Sequence, residues 1–366
     1  MGNSGSSEKS VSVGTRAEYL DAFRGFIMFS MLIGTFGLGK LAEHPLWGFI
    51  YRQLSHSHWR GFTFEDIILP SFLFIIGLAM PFSYEKRQKL GQSHSQIRWH
   101  AVKRTIGLFA LGVLIRFVVR GSISFGIGIL QILAISYFAG FLLLKKSIKI
   151  QASAFALILF LYWFFIFIIP LPGIGANSYI DKRNIAWFLD SLLLSEDVVS
   201  KFGYIYPHLT YASMVILGSI IGRVLVKRPP QRKVMTLLAI LGVGGILAGL
   251  VLNPLIPIIR PMFTSSCAIF ACGWICLMLL GFYWLIDVRA CKRWSFVFKV
   301  FGMNSIFIYA VHRPLGGWIR QTLSIFVNPF DPILGAGLGP LKAFLLVIME
   351  FLLCLWLYRK RIFIKI

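Results

Sequence analysis

The chain has 366 residues, of which 57% are hydrophobic and only 14% charged, and its formal net charge is +23. Soluble domains carry about a quarter charged residues. No soluble fold of this length could hide so much apolar surface, so the composition excludes a soluble protein and leaves lipid as the solvent.

The apolar residues fall in continuous runs of about 20, the length of a spanning helix, and not in the ten-residue alternating segments of a barrel. The expected fold is all-α: a polytopic membrane bundle of about ten transmembrane helices. Residues 1–18 form a polar, Ser- and Gly-rich tail without the apolar stretch of a cleaved signal. Its opening Met1-Gly2-Asn3-Ser4-Gly5-Ser6 fits a myristoylation pattern, which we read as chance, because an acyl anchor adds little to so many spans. Residues 19–366 are read as one domain.

The first span is expected over 19–39. Asp21 and Arg24 lie three apart on one of its faces, as a structural pair or as a receptor for an anionic ligand. The following loop carries Ser55-His56-Ser57-His58-Trp59-Arg60, which leads into Glu65 and Asp66 and a second span over 64–84. Ionisable groups at the lip of a membrane span are costly, and their default reading is a functional site. His56 can act as a base or a nucleophile, with an interfacial histidine as the plainer alternative. His58 is a weaker case. Asp66 can orient a histidine or pair with Arg60, and as a first-turn carboxylate it can also simply complement the helix dipole. Pro70 is tolerated in the span only where neighbours satisfy the freed carbonyl, and a kink there would help shape a cavity.

The third span is expected over 101–119, after a basic run over 86–104 suited to phosphates or lipid headgroups; Arg116, deep in that span, must pair or face water. The fourth, over 125–144, carries Gln131. The fifth covers 152–169, followed by a long loop over 170–207. The sixth, seventh and eighth follow over 209–226, 234–252 and 264–286. The ninth, over 298–310, contains Asn304 and places His312 and Arg313 at its outer end. The tenth covers 341–358. For Gln131 and Asn304 the plainer reading is polar glue between helices. The five cysteines form no CxxC pair and indicate neither a disulfide framework nor a zinc site. No phosphate loop, nucleophile elbow or HExxH appears.

With ten spans and both termini inside, 24 Lys and Arg fall in inner segments against 11 in outer ones. The positive-inside rule therefore predicts N-in, C-in, and accounts for the basic charge without nucleic acid. It places His56 on the outer face, beneath the longer loops.

Several pieces of the sequence, in order, resemble the membrane acyltransferases related to heparan-α-glucosaminide N-acetyltransferase. They are Tyr19-Leu20-Asp21-Ala22-Phe23-Arg24-Gly25; His56-x-x-Trp59-x-Gly61-x-Thr63-x-x-Asp66 continuing through Pro70 to Phe72-Leu73-Phe74-Ile75-Ile76-Gly77; Gly128-Ile129-Leu130-Gln131; Thr264-Ser265-Ser266; Tyr283-Trp284-Leu285-Ile286-Asp287; and Phe301-Gly302-Met303-Asn304-Ser305. The second piece is the most specific. The resemblance implies transfer of an acetyl group from cytoplasmic acetyl-CoA to a glucosamine amine across the membrane. It implies a catalytic histidine at His56 and not His58, because the family histidine stands three residues before the tryptophan. The chain departs from the family pattern at Thr35, where an asparagine is common, at Ile132, where an arginine is lost, at Tyr206-Pro207-His208 in place of an acidic piece, and at Ile259-Arg260 in place of an asparagine-lysine pair.

The expected activity is acetyl transfer from acetyl-CoA to an amino sugar or glycan on the outer face of the inner (plasma) membrane. His56 and Asp66 are the expected catalytic pair. Trp59, Thr35, His312 and Asn304 are expected toward the acceptor, and Arg24, Gln131, Lys103 and Arg104 toward acetyl-CoA, with no metal. Lipids and the acceptor are the expected partners, and a homodimer is compatible with the chain. The competing readings are a transporter or lipid-linked glycan carrier, although the inverted repeats of many transporters are missing, and a catalytically degenerate family member.

Overall fold

The structure, a computed structural model, describes residues 18–121, 128–171, 173–193 and 206–364. The expected tail, apart from its last residue, and the expected start of the fourth span at Phe125 lie outside the described residues. Among the described residues the chain is helical, with isolated β-bridges and no strand. In order come α1 (Glu18–Ile33), α2 (Pro45–Gln53), α3 (Ile68–Lys89), α4 (His94–Arg120), α5 (Ile129–Leu143), α6 (Ile148–Ile168) and α7 (Ile185–Leu193). They are followed by α8 (His208–Val226), α9 (Gln231–Leu252), α10 (Ser265–Tyr283), α11 (Phe296–Met303), α12 (Ser305–Val327) and α13 (Leu338–Arg359).

Six helical stretches among the described residues are long and apolar enough to cross a membrane, against the ten expected. They are Glu65–Lys89, Ile148–Ile168, His208–Val226, Gln231–Leu252, Ser265–Val288 and Ser305–Arg359, the last of which holds both α12 and α13. The shortfall has physical causes. Helices α1 and α5 have 16 and 15 residues, fewer than the roughly 20 that cross a hydrocarbon core unaided. Helix α4 has 27 but carries Arg98, Lys103, Arg104, Arg116 and Arg120 along its length.

Burial sorts the helices into a centre and a rim. Most of the apolar window of α3 and of α8 is buried, 61% and 67%, whereas α6 and α9 bury only 22% of theirs. The rim therefore presents Leu157, Phe160 and Phe167, and Ile240, Leu247 and Val251, to the surroundings. So much exposed apolar surface needs lipid. Between lipid-immersed helices the hydrophobic effect gives no net drive, so close van der Waals approach must hold them together. The α3–α8 contact is built that way: a Cβ on Gly77 would fall 2.0 Å from the Val215 carbonyl oxygen, and one on Gly218 2.1 Å from that of Phe74. The contact of α1 with α11 is equally tight, at Gly25 against Phe298 and Gly302 against Asp21. The five cysteines are free thiols, and Cys267, Cys272 and Cys276 pack in the core as small apolar groups.

The ninth span runs differently from expectation. The helix breaks at Asn304, and α12 restarts at Ser305 and continues to Val327. The Asn304 amide donates to the carbonyl of Ile362 at 3.1 Å and accepts from the N–H of Ile364 at 3.1 Å, tying the C-terminal tail to the break. His312 consequently lies well inside a helix and not at its outer end. Pro70 falls in the first turn of α3 and not in its interior. It is the third residue of that helix, where its missing N–H is one of the donors with no intrahelical partner in any case.

Candidate active site

Local chemistry positions the first carboxylate. Thr63-Phe64-Glu65-Asp66 has the spacing of a capping box, and Asp66 Oδ2 reaches back to accept the Thr63 N–H at 3.0 Å. The Ser57 N–H donates to the same oxygen at 3.3 Å. The Thr63 hydroxyl shares its single proton between Ser55 O at 2.7 Å and Asp66 Oδ2 at 3.0 Å. The loop before α3 is thereby folded onto the Asp66 carboxylate, whose side chain is fully buried.

That folding brings His56 back over Asp66, with Nδ1 2.9 Å from Oδ1. The His56 side chain stays 48% exposed, so its other face opens outward. A second loop meets this one. The Gly61 N–H donates to Ile258 O at 3.0 Å, and an isolated bridge joins Arg60 to Ile259. The next residue, Arg260, reaches the pair: its Nε is 3.5 Å from Asp66 Oδ1 and its Nη2 3.4 Å from His56 Nε2. A guanidinium only donates, so this contact requires a lone pair on Nε2; Nδ1 then carries the proton and donates it to Asp66. In this tautomer Nε2, with its lone pair, is turned away from the carboxylate. A buried carboxylate that fixes the tautomer and stabilises the imidazolium is the arrangement a general base needs.

Trp59 lies alongside. Its indole N–H donates to Tyr179 O at 2.8 Å, and its ring packs on a second apolar cluster containing Tyr162, Tyr179, Ile259 and Met262. Thr35 is exposed in the turn after α1. His312 pairs with the buried Glu350 on α13, Nδ1 to Oε1 at 2.6 Å. Asn304 holds the C-terminal tail as described. Thus His56, Asp66 and Trp59 share one loop region, whereas the nearest polar partners of His312 and Asn304 lie elsewhere.

A cavity opens between α1, α3, α4, α5 and α12, with about 700 Å³ of empty space including its mouth. Its lining is mostly apolar, with Met31, Phe72 and Ile76 among others, and the polar exceptions are Arg24, Arg104, Ser305 and Tyr309. Arg24 bonds Asp21 at 2.9 Å and Gly302 O at 2.7 Å. The Arg104 guanidinium lies 4.8 Å from the Tyr137 ring centre, and its Nε is buried without a hydrogen-bond partner. A smaller cavity shares Arg104 and adds Ser83, Tyr84, Arg87 and His100. There Arg87 donates to His100, and burial followed by the charges of Arg87, Arg104 and Lys103 holds that imidazole below its usual pKa. Gln131 acts locally. Its Oε1 accepts the Gly128 N–H at 3.1 Å at the start of α5, and its amide packs over Gly112. Lys103 sits over the exposed Trp99 ring at 5.5 Å and does not line the larger cavity.

Two participants escaped sequence reading. Arg260 enters there as one outer charge and as part of the Ile259-Arg260 departure from the family pattern, without a role; the available signal is a lone arginine in the apolar run Ile256-Pro257-Ile258-Ile259-Arg260-Pro261. Glu350, in the apolar run of the last helix, is the other, and it pairs with His312 away from His56.

Heparan-α-glucosaminide N-acetyltransferase of Mus musculus is 30% identical over 104 residues, covering 28% of this chain and 14% of the mouse protein. The match thus spans about a seventh of that relative's length. The profile of the family described as heparan-α-glucosaminide N-acetyltransferase, catalytic, matches residues 16–256, which include α1 and the whole His56–Asp66 loop. With well over half its length inside that match, the chain belongs to the heparan-α-glucosaminide N-acetyltransferase catalytic family.

Proposed function

We propose that the chain is a multi-pass membrane N-acetyltransferase that takes an acetyl group from acetyl-CoA at the basic end of the bundle and delivers it to an amine of an amino sugar or glycan at the His56 end. The observation that carries this reading is the His56–Asp66 pair, with a buried carboxylate on Nδ1, a half-exposed ring and Arg260 beside Nε2. Helix α3 runs from this pair to Lys89, roughly 33 Å at 1.5 Å per residue, so the two ends lie about a membrane thickness apart. We assign the basic end to the cytoplasm on the charge distribution, and the membrane to the inner (plasma) membrane.

The donor needs phosphate-binding cations and an apolar path for its long arm. Arg104 offers a buried guanidinium N–H without a partner beside a mostly apolar cavity, and Arg87 and His100 extend the positive end. These residues fit such a group, with Arg24 on the cavity wall. Acetyl-CoA supplies the activated acyl group. The protein supplies the proton chemistry. His56 Nε2 removes a proton from the acceptor amine as the amine nitrogen attacks the acyl carbon. Asp66 stabilises the imidazolium, which then protonates the departing thiolate.

The test is transfer of radiolabel from acetyl-CoA to a panel of amino sugars by purified protein. We expect transfer by the wild type and a loss of about 10³-fold or more in His56→Ala. Equal rates in the two would remove His56 from the mechanism. Absence of transfer to every acceptor would sink the acyltransferase reading and favour a transporter or carrier.

A further inference from the structure

We propose that Arg260 is a catalytic residue of the acyl transfer. In the resting protein it caps the basic nitrogen of His56; when an acceptor displaces it, its guanidinium donates to the acyl oxygen as that oxygen becomes an oxyanion. The proposal rests on the acyltransferase reading above.

The backbone beneath Arg260 is fixed. Ile259 and Met262 are completely buried and Phe263 nearly so. The Thr264 hydroxyl donates to Pro257 O at 2.7 Å, the Ile258 N–H to Asn253 Oδ1 at 2.9 Å, and the Thr210 hydroxyl to Phe263 O at 2.9 Å. The Tyr162 hydroxyl donates to Met262 O. The Gly61 N–H bond to Ile258 O fixes this loop against the one that carries His56. The side chain is held far less firmly. It is 30% exposed, and its polar contacts among the described residues, at 3.4 and 3.5 Å, are longer than the 2.7–2.9 Å of a well-formed charge-assisted bond. Asp66 already has hydrogen-bond donors in His56, Ser57 and Thr63, and Arg260 adds an ion pair to that buried carboxylate. Beyond that ion pair, Arg260 sets guanidinium donors beside Nε2, at 3.4 Å.

The chemistry needs such a group there. The attacking nitrogen must lie about 2.6–3.2 Å from Nε2 to give up its proton. As the new N–C bond forms, the carbonyl electron pair moves onto an oxygen two bonds from that nitrogen, within reach of a guanidinium whose Nη2 already sits 3.4 Å from Nε2. Collapse of the oxyanion breaks the C–S bond, and the thiolate takes the proton from His56. Donors aimed at a developing oxyanion are worth about 10²–10³ in rate.

Purified Arg260→Ala, Arg260→Lys and His56→Ala are compared with wild type for kcat and for both KM values, with thermal unfolding as a folding control. We expect Arg260→Ala to lose about 10²–10³ in kcat with KM changed by less than about 3-fold. Guanidinium ion, and not urea, restores part of that rate. His56, stripped of its cap, reacts faster with diethylpyrocarbonate. A kcat within about 3-fold of wild type, or a deficit that guanidinium does not restore, overturns the proposal while His56→Ala still reports separately on the acyltransferase reading. If Arg260→Ala unfolds, Arg260→Lys decides the matter: a drop of about 10-fold or more in kcat supports the proposal, and wild-type kcat overturns it. A wild type inert toward acetyl-CoA removes both readings together.

Discussion

Asp66 serves the loop and the imidazole with one carboxylate. One oxygen gathers the N–H groups of Ser57 and Thr63, and the other fixes the His56 tautomer. The two roles can be separated by mutation. Asp66→Asn keeps the shape but offers an amide N–H where Nδ1–H needs an acceptor, so the proton moves to Nε2. Acetyl transfer is expected to fall about 10²–10⁴-fold, measured as kcat, with far less change in stability. Thr63→Val removes a hydroxyl donor near the buried carboxylate and leaves the backbone N–H in place. It is expected to cost about 1–3 kcal/mol in thermal or denaturant unfolding. Unchanged unfolding would mean that the hydroxyl belongs functionally to Ser55 O alone. Much of this scale was legible in sequence: His56, Asp66 and the capping spacing from Thr63 are local. Arg260 was not, because its partner lies 204 residues away.

Helix α3 carries the site at one end and the basic cluster at the other, and its packing against α8 holds both in register. That contact depends on glycines that admit backbone to backbone. Gly218→Ala would place a Cβ 2.1 Å from Phe74 O, a backbone atom that cannot swing aside. The expected cost is about 1–3 kcal/mol or more, seen as a lower unfolding temperature in detergent. Gly244→Ala, with nothing within 4 Å of its Cβ, serves as the matched control and is expected to be neutral or slightly stabilising. If the two behave alike, close approach does not govern this interface. Apolar runs revealed where helices lie. They did not reveal the break at Asn304, because nothing local to Phe301-Gly302-Met303-Asn304-Ser305 announces that the amide will bind residues 362 and 364.

At the scale of the molecule, charge organises both ends. At the basic end Glu18 bonds Lys292 at 2.9 Å and Lys299 at 3.0 Å, joining the start of α1 to the chain around α11. The two ammonium groups hold Glu18 below the ordinary carboxylate range, Lys292 first. A carboxylate depressed in the folded state contributes stability above its unfolded pKa and loses it as pH falls through the folded value. Stability is therefore expected to decline from about pH 5 downward more steeply in wild type than in Glu18→Gln. Lys292 is exposed and Glu18 and Lys299 are about a third exposed, so solvent screens the clamp and the difference in unfolding temperature should be about 1 °C. Parallel curves would show that the clamp contributes nothing to acid stability.

The sequence by itself determined the solvent, the helical class and the lip where chemistry concentrates, because composition, run length and short-range spacing are local quantities. The family resemblance pointed to His56 over His58 through one three-residue offset from Trp59, and the fold sets His56 Nδ1 2.9 Å from Asp66 Oδ1. Only the tertiary structure decided which helices run long enough to span and where the ninth breaks. It alone paired His312 with Glu350, placed Arg24 and Arg104 on one cavity, and set Arg260 against His56. Each of those contacts joins residues far apart in the chain, and their meeting depends on how closely whole helices pack.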